Sequence, residues 1–291
     1  MQFFSKDSIF PPSLQIPKPI KGLIKILYFF SDRLTLFIAS KLFTTPISFK
    51  TPKRELGMEK SAQKKSLKVS SINKEIHILS YGFSDKKVLL AHGWAGRSTQ
   101  LFMIANKLLE NGFMVISFDG PAHGKSTGKT TNLVEYIETI KAIHKKFGPF
   151  EAAVGHSFGS MGIMNMQADI KAFKTIVTVG SGDKVSDILI NFANNLGLND
   201  AFGIKLINYF EKKWQMKVDD FATSNVAKKV NIPVLVIHDA IDGDVAVSCG
   251  INIRQNLENG KLFITNGLGH TKILRDKNVT NKIVDFIKQN T

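Results

Sequence analysis

From residue 66 to the C-terminus the chain alternates short, β-branched apolar runs with longer stretches of helical periodicity. That alternation is the strongest constraint on its fold. Strands are expected at Leu67–Ser70, Glu75–Tyr81, Val88–Ala91, Met114–Phe118, Ala152–Val154, Thr175–Val179, Val234–His238 and Leu262–Thr265. Helices are expected near 98–111, 131–147, 158–168, 248–259 and 279–289. Strands that are apolar almost without interruption belong in a mainly parallel sheet covered by helices on both faces. The first two have no helix between them, so they are expected as an antiparallel hairpin at one edge. The expected fold class is therefore α/β, a three-layer sandwich around a twisted, mainly parallel sheet of about eight strands. In such sheets the chemistry gathers at the carboxyl ends of the strands.

The alternation breaks once, over about 182–230, where some fifty residues separate two strands. A connection that long must carry its own structure. Its apolar positions include Ile188, Leu189, Phe192, Leu196, Phe202, Leu206, Phe210 and Trp214. We expect a small helical insertion over the strand ends, serving as a lid on an apolar acyl pocket or packing as a plain cap.

Residues 1–65 stand apart as an amphipathic helical segment followed by a linker, with the main domain at 66–291. Ile20, Leu23, Ile24, Leu27, Leu34, Ile38 and Leu42 recur at roughly helical spacing, interrupted by Lys21, Lys25, Asp32, Arg33 and Lys41. These charges leave no apolar run long enough to span a bilayer. Asp7, four early prolines and the lack of a small-residue cleavage site also argue against a signal peptide. Two roles are open for the segment: packing on the main domain, which we prefer, or lying peripherally on an anionic membrane. The Pro- and Lys-rich stretch 45–65 reads as the linker.

Charge fits either role. The chain carries 39 Lys+Arg against 24 Asp+Glu, a net charge of +15, and residues 1–65 alone hold 12 basic and 4 acidic side chains. Such a balance favours acidic partners without choosing among them. No nucleic-acid motif accompanies it, so no nucleic-acid partner is expected. The single cysteine, Cys249, excludes an internal disulfide and fits a reducing cytoplasm.

The chemistry is written in four short segments. Gly155-His156-Ser157-Phe158-Gly159 follows a strand and opens a helical run, the strand–turn–helix context in which a serine hydroxyl is thrust into a cleft. Flanking glycines suit a turn too sharp for side chains. Serine needs a base to take its proton, and histidine titrates in the right range. Of seven histidines, His270 is the choice: it sits in Gly267-Leu268-Gly269-His270, directly after the last strand. His77 and His144 read as structural or solvated. A carboxylate must then orient the imidazole. The loop after Val234–His238 offers Asp239, Asp242 and Asp244. Asp242 is preferred for reach, Asp239 also suits a turn brace, and Asp183 is an outside candidate. For the oxyanion, His92-Gly93-Trp94-Ala95-Gly96 after strand Val88–Ala91 supplies a close-approaching backbone, so the N–H groups of Trp94 and Phe158 are the expected donors. His92, Gly93 and His156 are further candidates to touch substrate.

Together with Phe118–Ser126 (FDGPAHGKS), these segments resemble, in order, the α/β-hydrolase superfamily over about residues 70–291. Phe118–Ser126 is similar to the family's D-x-P-G-H-G-x-S turn, with Ala122 in place of a glycine. Ala246 stands where many relatives have proline. The resemblance implies a Ser157–His270–Asp242 triad, a helical cap where the insertion lies, and a serine hydrolase acting on an ester or thioester of a small or medium apolar acyl group, needing neither cofactor nor metal. Acyl transfer with the same triad, or a binding or membrane-associated member that has lost activity, is the alternative.

Other chemistries fit less well. Gly120 to Gly124 encloses three residues where a phosphate-binding loop needs four. His92 lacks a second histidine at metal-ligand spacing. Serine rather than aspartate at the turn also disfavours a carboxylate nucleophile.

Overall fold

The computed structural model describes residues 16–291; the signal-peptide reading and the start of the N-terminal segment lie outside the described residues. Eight strands form one sheet: β1 Gln63–Val69, β2 Lys74–Tyr81, β3 Lys87–Ala91, β4 Met114–Phe118, β5 Ala152–His156, β6 Thr175–Val179, β7 Val234–Asp239 and β8 Gly260–Thr265. Their order across the sheet is β1-β2-β4-β3-β5-β6-β7-β8. β1 and β2 form the expected antiparallel edge hairpin, β2 also runs antiparallel to β4, and every later pairing is parallel.

Among the described residues twelve α-helices accompany the sheet: α1 Lys18–Phe30, α2 Asp32–Thr44, α3 Leu56–Ser61, α4 Phe102–Glu110, α5 Leu133–Phe147, α6 Phe158–Ile170, α7 Val185–Asn195, α8 Asp200–Trp214, α9 Thr223–Ala227, α10 Val247–Gln255, α11 Gly269–Lys272 and α12 Lys277–Asn290. Alternation along the strands divides the core, because successive side chains point to opposite faces. Ile78, Leu89 and Ile116 join Tyr136, Ile140 and Ile163 from α5 and α6. Leu79, Leu90 and Val115 join Ile104, Leu108 and Ile283 from α4 and α12. Both faces are covered, which is why the central strands read as uniformly apolar.

The stretch after β6 is helical as expected, with α7, α8, a short 3-10 turn at Val218–Phe221 and α9. It carries a third core of its own. Leu189, Phe202, Leu206 and Phe210 pack there with Ile24 of α1 and Ala39 of α2. The N-terminal segment thus packs, but largely on the helical insertion. It is two helices rather than one: Ser31 is extended (φ −158°, ψ 105°), caps α2 through its hydroxyl and ends α1.

The linker reading of 45–65 is corrected. Lys53–Glu55 forms a 3-10 turn, α3 follows, and β1 begins at Gln63. Met58 and Ala62 are buried in the core beside α4. Glu55 is buried too, with its carboxylate bound by Arg97 Nε at 2.8 Å and Thr99 Oγ1 at 2.8 Å. Proline and lysine marked the surface of this segment, but its anchor is a carboxylate whose partners lie some forty residues on. Among the described residues no helix is long and apolar enough to cross a membrane.

Candidate active site

Ser157 joins β5 to α6 at φ 50°, ψ −116°, a conformation that costs a non-glycine residue on the order of 1–3 kcal/mol. The glycines around it explain how the turn fits. A Cβ on Gly159 would stand 2.3 Å from the Ala91 carbonyl oxygen and 2.6 Å from that of His92, because the start of α6 passes over the end of β3. One on Gly155 would meet the Ser160 backbone at 2.6 Å. Both positions admit only glycine.

β7 and β8 are neighbours, so the loops that follow them bring acid and base together. The His270 Nδ1–H donates to Asp242 Oδ2 at 2.7 Å. Asp242 Oδ1 accepts from the backbone N–H groups of Asp244 (2.8 Å) and Val245 (3.0 Å). Burial disfavours charge on both side chains, yet their mutual hydrogen bond and attraction prevail: the His270 pKa is raised and the Asp242 pKa lowered. Asp239 instead accepts from Thr265 Oγ1, the Leu268 N–H and the Ile241 N–H, tying the base loop to β7. Asp183 accepts from the Ser224 N–H and from Asn252, bracing the insertion. Of the four acids weighed from sequence, Asp242 is the one hydrogen-bonded to the His270 ring at 2.7 Å. Asp242, Asp244 and His270 bring potential metal-ligand atoms within 4.8 Å of one another, the first and last of them through their hydrogen bond.

The loop after β3 lies against the elbow. A Cβ on Gly93 would be 2.7 Å from His156 Nδ1 and 3.1 Å from the Ser157 Cβ. Along this loop the Gly93 N–H donates to Gln100 Oε1, the Ala95 N–H to His123 Nε2 and the Gly96 N–H to the Gly93 oxygen. Trp94 lies between these residues in the loop, and Phe158 carries the first amide of α6. Helix geometry leaves this amide without an intrahelical acceptor. The two rings also touch, edge to face at 5.3 Å.

Two buried histidines pin that loop to the FDGPAHGKS turn. His92 donates through Nδ1 to the Gly93 oxygen (2.7 Å) and accepts the Gly120 N–H at Nε2 (2.8 Å). His123 donates through Nδ1 to the Pro121 oxygen and accepts the Ala95 N–H. Burial holds both neutral, pushing His92 down to about 4 and His123 to about 3. Ala122 sits at φ 62°, which explains why glycine suits that place in similar turns. Ala246 has φ −61°, a backbone proline would also accept.

Beside the elbow lies a pocket of about 610 Å³. Ser157, His156, His270, Trp94 and Phe158 line it, with Met161 from α6, Phe192 from α7 and Leu42 and Phe43 from α2. His92 and Gly93, expected near substrate, sit behind this wall, and both nitrogens of His92 are engaged within the protein. Phe43 is the feature sequence reading missed: its ring lies 5.2 Å from Phe192 and 6.5 Å from Trp94. The N-terminal helices thus help to build the pocket. Only the helical period that ends at Leu42 hinted at this.

Comparison with known proteins agrees with this arrangement. A family model described as the alpha/beta hydrolase fold matches residues 86–211, and one described as TAP-like protein matches 202–291. The chain belongs to the α/β-hydrolase superfamily. No curated protein matches it by sequence. Solved structures similar to this α/β hydrolase include an esterase from Pyrococcus furiosus (TM-score 0.65, 17% identity, covering 85% of this chain and 97% of that one). An esterase from Exiguobacterium antarcticum (TM-score 0.62, 16% identity, 78% and 100%) and a bromoperoxidase from Bacillus anthracis (TM-score 0.61, 17% identity, 78% and 100%) are also similar. At such identities the likeness establishes the fold, and activity must be argued from the site.

Proposed function

We propose that this α/β hydrolase is a serine hydrolase that cleaves a carboxylic ester or thioester of a small or medium apolar acyl group. One observation carries the reading: the strained elbow serine and a histidine locked to a buried carboxylate open on the same largely apolar pocket. Ser157 Oγ attacks the acyl carbonyl carbon while His270 Nε2 takes its proton. Asp242 keeps Nδ1 protonated, so Nε2 is the basic nitrogen, and it steadies the imidazolium that forms. The N–H groups of Trp94 and Phe158 receive the oxyanion. His270 then returns the proton to the leaving group, and water, activated by the same nitrogen, releases the acid. The apolar walls from α2, α6 and α7 receive the acyl chain, with the insertion acting as a lid.

Initial-rate measurements on p-nitrophenyl esters from acetyl to lauroyl test this reading. Hydrolysis that favours medium chains and vanishes in Ser157→Ala supports it. A wild-type protein that is folded yet inert toward the whole series overturns it.

A further inference from the structure

The outer face of the N-terminal helix pair is apolar, flanked by basic side chains and continuous with the rim of the acyl pocket. On α1, Leu23, Ile26 and Phe30 follow at helical spacing and are 66%, 59% and 77% exposed; Phe29 beside them is 85% exposed. Leu34 and Phe37 continue the stripe on α2. Ile20, Leu42 and Ile47 are exposed too, and these three also line the pocket. The opposite faces of the same helices are spent, with Ile24 and Ala39 buried against α7 and α8. An apolar patch of this extent on a folded surface marks a docking site.

We propose that α1 and α2 seat the protein on an anionic lipid surface, with the mouth of the pocket turned toward the bilayer. Charge complementarity selects this occupant. Along the pair Lys18, Lys21, Lys25, Arg33 and Lys41 stand against the single carboxylate of Asp32, which is itself paired with Lys205; Lys21 and Lys25 lie at the flank, over Gly197. A second copy of a chain with net charge +15 would set like charges face to face. An interface of acyl chains beneath anionic headgroups accepts the aromatic stripe and the lysines at once. Phe29 and Phe30 flank the joint at Ser31 where the helices meet, so they form the part that inserts. With Ile20, Leu42 and Ile47 on both the docking face and the pocket rim, an ester in the outer lipid layer reaches Ser157 along a continuous apolar path. That last consequence rests on the acyl-hydrolase reading; the docking does not.

Co-sedimentation of the full chain with vesicles tests the proposal, using phosphatidylcholine alone and phosphatidylcholine mixed with phosphatidylserine. The wild type is expected to sediment with the mixed vesicles, to bind pure phosphatidylcholine far less, and to be released by salt. Phe29→Ser with Phe30→Ser is expected to weaken partitioning by about tenfold per ring removed, with hydrolysis of a water-soluble short-chain ester unchanged. Absent binding, equal binding to both vesicle types, or equal binding by a folded variant overturns docking. A sedimentation-velocity dimer that the double variant dissociates would give the face to a second copy and also overturn it. Loss of soluble-ester hydrolysis in the wild type itself would fail the catalytic reading and leave the docking result standing.

Discussion

His156 and His270 are joined across the site: the Nε2–H of the residue before the elbow serine donates to the His270 carbonyl oxygen at 3.0 Å, and the two rings lie 4.7 Å apart. The turn that presents the nucleophile therefore also holds the loop that presents the base. Burial pushes His156 down to about 3, so its ring is neutral and Nε2 carries the proton it donates. Replacing it with alanine should cost about 1–3 kcal/mol of stability and lower kcat at least tenfold. His156→Gln, which can still donate, should recover part of the turnover. Steady-state kinetics beside thermal melts separate this latch from a merely structural role, in which kcat of the folded alanine variant would be unchanged.

Asp242 controls both the tautomer and the titration of His270. Asp242→Asn should leave the fold intact and reduce kcat by about 10⁴-fold, the loss known when an orienting carboxylate is amidated in other triads. The same pair sets the acid limb of the pH profile. The base must be neutral to act, and its pKa is raised. Activity should therefore fall on acidification from a midpoint above the ordinary histidine value of about 6.5. In the residual activity of Asp242→Asn that midpoint should move down. A profile of kcat/KM against pH reads both.

Acid should unfold the protein through its buried neutral histidines. His92, His123 and His156 have folded-state pKa values depressed to about 4, 3 and 3, whereas in the unfolded chain each titrates near 6.5. Between these values the unfolded state binds protons that the folded state refuses. Stability is thus complete above about pH 6.5 and declines as pH falls, by about 1.4 kcal/mol per pH unit for each histidine. Urea unfolding at stepped pH values should show an uptake of at least three protons. His123→Asn should remove one of them, while also loosening the Ala95 amide.

Glu55 fastens the segment before β1 to the loop that follows the expected oxyanion donors. Its side chain is only 4% exposed and that of Arg97 16%. Glu55→Ala should therefore destabilise by about 3–5 kcal/mol, because the guanidinium is left buried without its partner. Arg97→Met in the Glu55→Met background should recover much of the loss. Chemical denaturation of the single and double variants measures this.

Much of the fold is legible in the sequence because it is locally encoded. The expected strands at Met114–Phe118 and Thr175–Val179 match β4 and β6 residue for residue, since runs buried on both faces are mostly β-branched and apolar, with only the small hydroxyls of Ser117, Thr175 and Thr178 among them. The elbow was legible because a serine at φ 50° between close-packed backbones requires both Gly155 and Gly159. Asp242 is preferred over Asp239 from sequence for its reach, and the folded loops supply the physical reason: three residues apart, Asp239 binds Thr265 and Asp242 the imidazole. The N-terminal helices were harder to place. One face packs on the insertion while the other stays exposed, so their amphipathic pattern is equally consistent with a core or a surface. Glu55 and Phe43 act on partners far along the chain, and no local spacing records that.

Labelling with a fluorescent fluorophosphonate tests the central claim most directly, because the probe reacts with an activated serine whatever the natural acyl group. Wild-type protein should label on the tryptic peptide that contains Ser157. Ser157→Ala should not label at all, and His270→Ala should label at least a thousandfold more slowly. Labelling of folded wild type at another serine, or rates indifferent to His270, would contradict the account.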